Sequence, residues 1–275
     1  MKYLVLGSAG QFGSALSSYL NKCGHTVLEL GIPNFKNHDL RVRNNRLLDS
    51  YMQECDFVMF LAFDVGGSRY LGKYQHTYEF IENNTKIVSN TFDSIRKHNK
   101  PFFFASSQMS NMSHSPYGVL KALGEHYTKA LNGITVKFWN VYGQEHDLKK
   151  AHVITDFILS ANATRQINML TSGDEVRQFL HADDCSKCLQ ILSEQYATLP
   201  RNKEYHITNF TWTSIIDIAG IVQQCFPGTE VIPGAASDTI QFNKMNDPDQ
   251  HILTYWRPEI TIEQGIKDII EKMKL

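Results

Sequence analysis

The sequence has no excess of either charge and no long apolar run. Its 27 Lys and Arg residues nearly balance its 28 Asp and Glu residues, so the formal net charge at pH 7 is −1. A chain without a strong field of one sign has no general attraction for nucleic acid or for an anionic membrane. Its apolar runs are far shorter than the roughly 20 residues that a membrane-spanning helix needs. We therefore expect neither nucleic acid nor a membrane as a partner.

Cysteine is scarce, and the start of the chain carries no export signal. The five cysteines are scattered and odd in number, which argues against a disulfide framework. Cys185 and Cys188 are spaced like half of a zinc or redox motif, but no second pair or nearby histidine at metal spacing accompanies them. We interpret them as small residues on a helix and predict no metal site. Because the N-terminus leads directly into a strand, we expect a cytoplasmic protein.

Three glycines at a spacing of three form the motif around which the chain is organised. An apolar run at residues 3–6 predicts a buried strand, Gly7, Gly10 and Gly13 follow it, and residues 14–22 have a helical apolar pattern. A strand, a glycine turn and a helix N-terminus together form a cradle for a pyrophosphate. A purely structural turn is the alternative, since such glycines are common. The context on both sides of the turn favours dinucleotide binding.

Strands and helices alternate through the first half of the chain. Strands are predicted at residues 3–6, 26–30, 57–62, 102–105 and 134–139, with helices at 14–22, 47–52, 78–98 and 117–131. This alternation predicts an α/β fold with a doubly wound parallel sheet covered by helices on both faces. After Gly143 the alternation of strands and helices becomes irregular. We predict a dinucleotide-binding domain formed by residues 1–142 and 181–209, and a smaller, irregular substrate-binding domain formed by residues 143–180 and 210–275.

Tyr117 and Lys121 are candidates for acid–base chemistry. They are four residues apart on a predicted helix and therefore share one face. An ammonium beside the phenol should lower the tyrosine pKa from about 10 and make it usable as an acid or base near neutral pH. Taken alone, such a pair is common as a surface contact. Here it follows the fourth predicted strand, which ends in Ser106 and Ser107, and a serine there could hydrogen-bond the same substrate oxygen.

The chain resembles the extended short-chain dehydrogenase/reductase family in its glycine triplet, in Ser107 and in the pair Tyr117 and Lys121. Within this family it resembles the NAD-dependent nucleotide-sugar epimerase/dehydratase/reductase group, which has a Rossmann-type fold. Segments that match the family's other motifs lie along nearly the whole chain, at residues 140–143, 177–184, 205–209, 256–258 and 262–266. The resemblance implies NAD(P)-dependent oxidoreduction at a hydroxyl or keto carbon of a nucleotide-activated sugar. We favour a 4-epimerase. A 4-keto reductase is the alternative, and a non-catalytic dinucleotide-sensing protein is the second.

The resemblance also implies a role for individual residues. Tyr117 would take the proton from a sugar hydroxyl, Lys121 would hold the nicotinamide ribose, and Ser107 would orient the substrate oxygen. The residues that would contact the cofactor, NAD or NADP, are Gly7, Gly10, Gln11, Phe12, Gly13, Asp39, Leu40, Leu61, Ala62 and Lys121. Asn140 would face the substrate, and Arg177 would bind its diphosphate, with an ion pair to Asp174 or Glu175 as the alternative. The family commonly forms homodimers through the helices predicted at residues 78–98 and 117–131.

Two positions depart from the family pattern. Gly31 stands where many relatives have an acid that binds the adenosine ribose, and Glu29 comes too early to replace it, so the choice between NAD and NADP stays open. Gln108 and Met109 follow Ser107 where the 4,6-dehydratases have an Asp-Glu pair, so we do not expect dehydration.

Overall fold

The computed structural model describes residues 1–32, 38–145, 147–238 and 246–275. The strands are β1 (Lys2–Leu6), β2 (Thr26–Leu30), β3 (Phe57–Phe60), β4 (Phe102–Ser107), β5 (Ile134–Phe138), β6 (Asn140–Tyr142), β7 (Gln166–Asn168), β8 (Val176–Arg177), β9 (Phe179–His181), β10 (Tyr205–Ile207), β11 (Thr213–Ser214) and β12 (Glu230–Ile232). The helices are α1 (Gln11–Lys22), α2 (Arg46–Glu54), α3 (Ser68–Tyr74), α4 (Tyr78–His98), α5 (Pro116–Ala130), α6 (Val153–Thr164), α7 (Ala182–Glu194), α8 (Ile215–Cys225) and α9 (Ile262–Met273).

A six-stranded sheet in the order β10-β5-β4-β3-β1-β2 forms the centre of the molecule. Each of its neighbouring pairs is parallel. The chain runs outward from β1 to β2 and then returns to place β3 on the other side of β1, so the strand order reverses there. In such sheets the ligand binds beyond the carboxyl ends of the strands at this reversal. The predicted α/β fold with a doubly wound parallel sheet is confirmed.

Apolar side chains cover both faces of the sheet. Alternate residues of a strand point to opposite faces, so Tyr3 and Val5 pack with α1 and α7 while Leu4 and Leu6 pack with α2 and α4. Burial on both sides explains why these strands are continuous apolar runs. A third cluster joins α6, α8 and α9 around Ile158, Ile218 and Ile266. The division into two domains stays a prediction, and residues 33–37, 146 and 239–245 of it lie outside the described residues.

Most predicted elements lie within three residues of their observed bounds, and two differences concern the site. The helix α3 lies within residues 63–76, for which no helix or strand is predicted. It was missed because its seven residues, with Leu71 as the one buried apolar side chain, are too few for a helical pattern. The strand predicted at residues 134–139 ends at Phe138, and a separate short strand, β6, then pairs with β9. In the described part of the chain, no helix combines the length and the apolar character that crossing a bilayer requires.

Candidate active site

The glycine turn between β1 and α1 depends on the small size of its residues. Gly7 has φ of +92°, in the left-handed region that favours glycine, and a Cβ there would lie 2.8 Å from the Ala62 nitrogen. A Cβ on Gly13 would overlap the Gly7 carbonyl oxygen. The Gly10 N–H donates to that same oxygen over 3.0 Å. The turn therefore packs tightly against both α1 and the end of β3, as a phosphate cradle requires.

The N-terminus of α1 offers backbone donors to an anion. Gly10 is its N-cap and makes no side-chain hydrogen bond to the first turn, which contains Gln11, Phe12 and Gly13. The first N–H groups of a helix have no acceptor within the helix, and its dipole attracts negative charge there. The Gln11 side-chain amide donates to the Gly143 carbonyl over 3.3 Å. These residues fit the pyrophosphate of a dinucleotide, whose nicotinamide would supply hydride transfer when bound.

The residues predicted to contact the adenosine half lie around the ends of β2 and β3. Leu61 and Ala62 directly follow β3, next to Gly7. Leu40 is buried in the core. Asp39 accepts hydrogen bonds from Nε and Nη2 of Arg41 over 2.8 and 2.7 Å, and this pairing lowers the Asp39 pKa. Contact with a cofactor remains a prediction for all four.

Local packing brings the catalytic candidates together. Ser107 is the last residue of β4, and a 3-10 turn at Gln108–Asn111 leads from it toward α5. The Gly118 N–H donates to the Ser115 hydroxyl, which caps α5, and a Cβ on Gly118 would overlap the Met109 carbonyl oxygen. The first turn of α5, with Tyr117, therefore sits directly on the turn that follows Ser107.

The expected lowering of the Tyr117 pKa is wrong. Tyr117 is 9% exposed, and its burial raises the pKa of the phenol to about 12, although hydrogen bonding with Ser107 acts in the lowering direction. Burial is the cause of this rise, and the Lys121 side chain is directed at the backbone. Its ammonium donates to the Ala105 carbonyl over 2.6 Å and lies 3.9 Å from the centre of the Phe63 ring. It therefore does not offset the cost of ionising the phenol.

Glu125 is a charged residue of this site that sequence reasoning missed. Burial lowers the pKa of Lys121 to about 7, and the charge of Glu125 acts to raise it. Glu125 accepts a hydrogen bond from the Ser106 hydroxyl and lies 3.6 Å from the Lys137 ammonium. Lys137 in turn pairs with Glu204 over 2.7 Å. The available signal was spacing, because Glu125 follows Lys121 by four residues and so shares its helix face.

A cavity of about 300 Å³ contains the two predicted substrate residues, Asn140 and Arg177. Arg177 is 4% exposed, and its Nη2 lies 2.6 Å from the Asp238 carboxylate while its Nη1 donates to the Val176 carbonyl. Asp238 is an ion-pair partner that the sequence did not indicate. The Asn140 amide donates to the Gln178 carbonyl over 3.2 Å, which links β6 to the segment before β9. The cavity thus contains a buried guanidinium that already binds a carboxylate.

His181, Asp183 and Asp268 have potential metal-ligand atoms within 4.8 Å of one another. His181 also caps α7, because its Nδ1 accepts from the Asp183 N–H. Lys272 places its ammonium 2.7 Å from the Asp268 carboxylate. A cation of the chain therefore already offsets the negative charge of this group, and the absence of a metal stays our prediction.

The glycine turn lies where the strand order of the parallel sheet reverses. The same edge of the sheet carries Ser107, Tyr117 and Lys121. This combination is typical of dinucleotide-dependent enzymes of the short-chain dehydrogenase type. The model of the NAD dependent epimerase/dehydratase family matches residues 3–208. The chain belongs to this family. This family is NAD-dependent, which confirms the predicted class of cofactor, a nicotinamide dinucleotide.

Individual relatives are distant. A putative UDP-glucose 4-epimerase of Methanocaldococcus jannaschii is 27% identical over 58% of this chain and 53% of its own length, so the match spans about half of that relative. A putative GDP-L-fucose synthase 2 of Arabidopsis thaliana is 23% identical over 98% of this chain and 90% of its own. The solved structure of an epimerase from Methanothermobacter thermautotrophicus has a TM-score of 0.85 at 19% identity, covering 99% of this chain and 92% of that one. This last likeness shows the fold.

Proposed function

We propose that the chain catalyses NAD(P)-dependent oxidoreduction at a hydroxyl or keto carbon of a nucleotide-activated sugar, as a 4-epimerase. The observation that carries the proposal is the placement of Ser107, Tyr117 and Lys121 on the same edge of the sheet as the glycine turn, since the carboxyl ends of parallel strands meet there. The cavity with Asn140 and Arg177 supports a substrate that carries an anionic group.

The residues of the chain would move a single proton at the substrate oxygen. The Ser107 hydroxyl would hold that oxygen, and the Tyr117 phenol would exchange the proton with it. With the phenol pKa at about 12, Tyr117 is protonated near neutral pH and can give a proton. To take a proton, Tyr117 needs a nearby positive charge. The Lys121 ammonium can supply this charge if it leaves the Ala105 carbonyl.

The experiment that tests this function is turnover of UDP-, GDP- and dTDP-hexoses, followed by product analysis and by native mass spectrometry of the purified protein. An epimerase interconverts two sugars without net consumption of cofactor and retains its dinucleotide. If no nucleotide sugar binds or reacts while a dinucleotide does bind, the chain is a sensor and the proposal fails.

A 4-keto reductase is the second candidate. The protonated Tyr117 favours it, because a reductase needs a proton donor at the keto oxygen in its chemical step. A reductase differs from an epimerase in how it consumes and retains the cofactor. A reductase oxidises one reduced dinucleotide for each keto sugar consumed and releases it, so the purified protein would contain little bound cofactor.

We also propose a homodimer through α4 and α5. Val119, Leu123 and Tyr127 recur every four residues on one face of α5 and are exposed, and Tyr78 and Ile81 are exposed on α4. Two-fold pairing is the commonest oligomer. Light scattering should give a dimer mass for the natural chain and a monomer mass for Leu123→Glu. A monomer mass for the natural chain would remove the idea. A cytoplasmic location remains a prediction that cell fractionation can test.

A further inference from the structure

Phe63 lies between the glycine turn and the catalytic candidates. The N–H of Leu61 donates to the Leu6 carbonyl over 3.0 Å, and Ala62 lies next to Gly7, so the chain that leaves β3 is tied to the turn. Phe63 is the next residue, and its ring is partly buried against the apolar cluster that contains the start of α5. The backbone therefore carries this ring from the proposed cofactor edge to the catalytic helix.

Asp64 holds the same segment from the other side. Its N–H donates to the Asn84 side chain on α4 over 2.7 Å, and its carboxylate accepts from the Tyr70 hydroxyl over 2.6 Å. The Lys150 ammonium lies 2.7 Å from that carboxylate. Because its neighbours on both sides are bound, Phe63 has a fixed backbone, as a residue that positions others requires.

The face of the Phe63 ring meets the Lys121 ammonium. The distance from this nitrogen to the ring centre is 3.9 Å, against 5.3 Å for Phe104 and 5.8 Å for Tyr117. Phe63 also packs edge to face with Tyr117, with 5.6 Å between the ring centres. An aromatic face attracts an ammonium, most strongly where water is excluded. Lys121 is only 4% exposed, so Phe63 is placed to stabilise its charged form.

The charged and polar groups around this ammonium come from several elements. Burial lowers the pKa of Lys121, and the Glu125 carboxylate on the same helix acts to raise it. The Ala105 carbonyl of β4 accepts from the ammonium, and Lys137 of β5 lies 3.6 Å from Glu125. The Asp64 carboxylate is bound by an ammonium and a phenol of its own. The aromatic face adds an attraction from the side of the proposed cofactor edge.

We propose that Phe63 is a positioning residue of the catalytic pair, whose ring face attracts the ammonium form of Lys121 and holds it at the Ala105 carbonyl. Because the same ring contacts Tyr117, the ammonium can move toward the phenol and stay on this aromatic surface. The inference rests on the proposed function for the use of the Lys121 charge. The attraction itself does not depend on which sugar reacts or on the direction of hydride transfer.

NMR titration of the whole chain with isotope-labelled lysine measures the Lys121 pKa without substrate, and the spectrum of Lys121→Arg identifies the signal. Phe63→Leu keeps an apolar side chain but removes the aromatic face, so it should lower this pKa by about 0.5 to 1.5 pH units. Phe63→Tyr keeps the face and should leave the pKa close to its natural value. Phe57→Leu is the matched control, because this ring of β3 packs against Phe103 and Tyr196, and it should leave the pKa unchanged.

Kinetics of the same variants separates positioning from a structural role. The limb of the pH–rate profile that reports Lys121 should move to lower pH in Phe63→Leu, by the same amount as the titration, and should return in Phe63→Tyr. A loss of activity in Phe63→Leu that is equal at every pH would make Phe63 a structural residue.

The titration keeps failure of the inference distinct from failure of the proposed function. An unchanged Lys121 pKa in Phe63→Leu overturns the inference and leaves the proposed function standing. A raised pKa also overturns it, because the ring would then act by excluding water. A lowered pKa without turnover of any nucleotide sugar supports the attraction and overturns the proposed function. Thermal unfolding shows which variants are folded, and Phe63→Met is a second apolar replacement should Phe63→Leu fail to fold.

Discussion

The proposed cofactor edge and the proposed substrate cavity use different parts of the chain. At the cofactor edge, the first turn of α1 presents backbone N–H groups, and Gly7 and Gly13 allow the close packing of the turn because they have no side chain. In the cavity, Asn140, Arg177 and Asp238 come from distant segments and present side-chain groups. A site made of backbone is specified by local spacing. A site made of side chains depends on which segments the fold brings together.

This difference predicts how each region responds to mutation. Side chains can be removed from the cavity without disturbing the turn, so ligand-specific losses are expected there. At the cofactor edge, adding one methyl group disturbs packing and phosphate binding together. Tyr117, Lys121 and Glu125 lie on α5, and we propose that Tyr117 and Lys121 serve the chemistry that joins the two regions.

The largest effect is expected at the reacting oxygen. Tyr117→Phe should lower kcat by about two to four orders of magnitude, because the only group proposed to exchange the substrate proton is lost. Steady-state kinetics and circular dichroism would measure activity and fold. Tyr74→Phe is the control, since this tyrosine is exposed and lies on α3, outside the proposed dimer helices. Normal turnover of the Tyr117 variant would refute the proposed chemistry.

The next effect separates the two regions directly. Arg177→Ala should weaken nucleotide-sugar binding by about 1.5–3 kcal/mol, or roughly ten- to 150-fold, with little change in dinucleotide affinity. Calorimetry with both ligands measures this selectivity. Equal losses for both ligands, or no loss for the nucleotide sugar, would make Arg177 a structural residue.

The ion pair with Asp238 requires a further control. Removing Arg177 alone leaves a largely buried carboxylate without its guanidinium, which is destabilising in its own right. The double variant Arg177→Ala/Asp238→Ala removes both charges. It should bind the nucleotide sugar as weakly as Arg177→Ala and unfold at a higher temperature. If the double variant regains affinity, the loss came from the orphaned Asp238.

Sequence reasoning could predict what local spacing encodes. The glycine turn, the alternation of the sheet and the Tyr117–Lys121 helix face all depend on residues close together in the chain, and the bounds of α4 agree with its predicted range. The short helix α3 has too few residues for a pattern.

The rest depends on rotamers and on contacts between distant segments. Burial raises the Tyr117 pKa, and the Lys121 ammonium donates to the Ala105 carbonyl, yet spacing shows only that the two residues share a face. Likewise, Asp238 is 61 residues from Arg177, and nothing in the sequence pairs them. Such contacts exist only once the core is packed.

A smaller effect tests the claim that the cofactor edge requires the absence of side chains. Gly13→Ala should lower the free energy of unfolding by about 1–3 kcal/mol, because its methyl group overlaps the Gly7 carbonyl oxygen. Gly220→Ala, on α8, meets nothing within 4 Å and should raise it by up to about 1 kcal/mol. Urea denaturation of both variants measures the difference. Changes of the same sign in both would show that packing does not fix the glycine spacing.

The smallest effect concerns the charge of Lys121. Burial holds its pKa at about 7, below the ordinary lysine value of about 10.5, and Glu125 acts in the raising direction. Glu125→Gln should therefore lower the Lys121 pKa further. If the charged lysine supports Tyr117, the limb of the pH–rate profile that reports Lys121 should move to lower pH.

The same substitution makes a signed prediction for stability. Between the folded and unfolded pKa of Lys121, from about 7 to about 10.5, the unfolded chain binds more protons, so this residue's contribution to stability rises with pH across that window. Glu125→Gln should extend the lower end of the window, and Glu125→Asp should restore both profiles because it keeps the charge. Denaturation and kinetics over a pH series measure the two effects. A merely structural role through Ser106 and Lys137 would instead lower activity equally at every pH, without moving the limb.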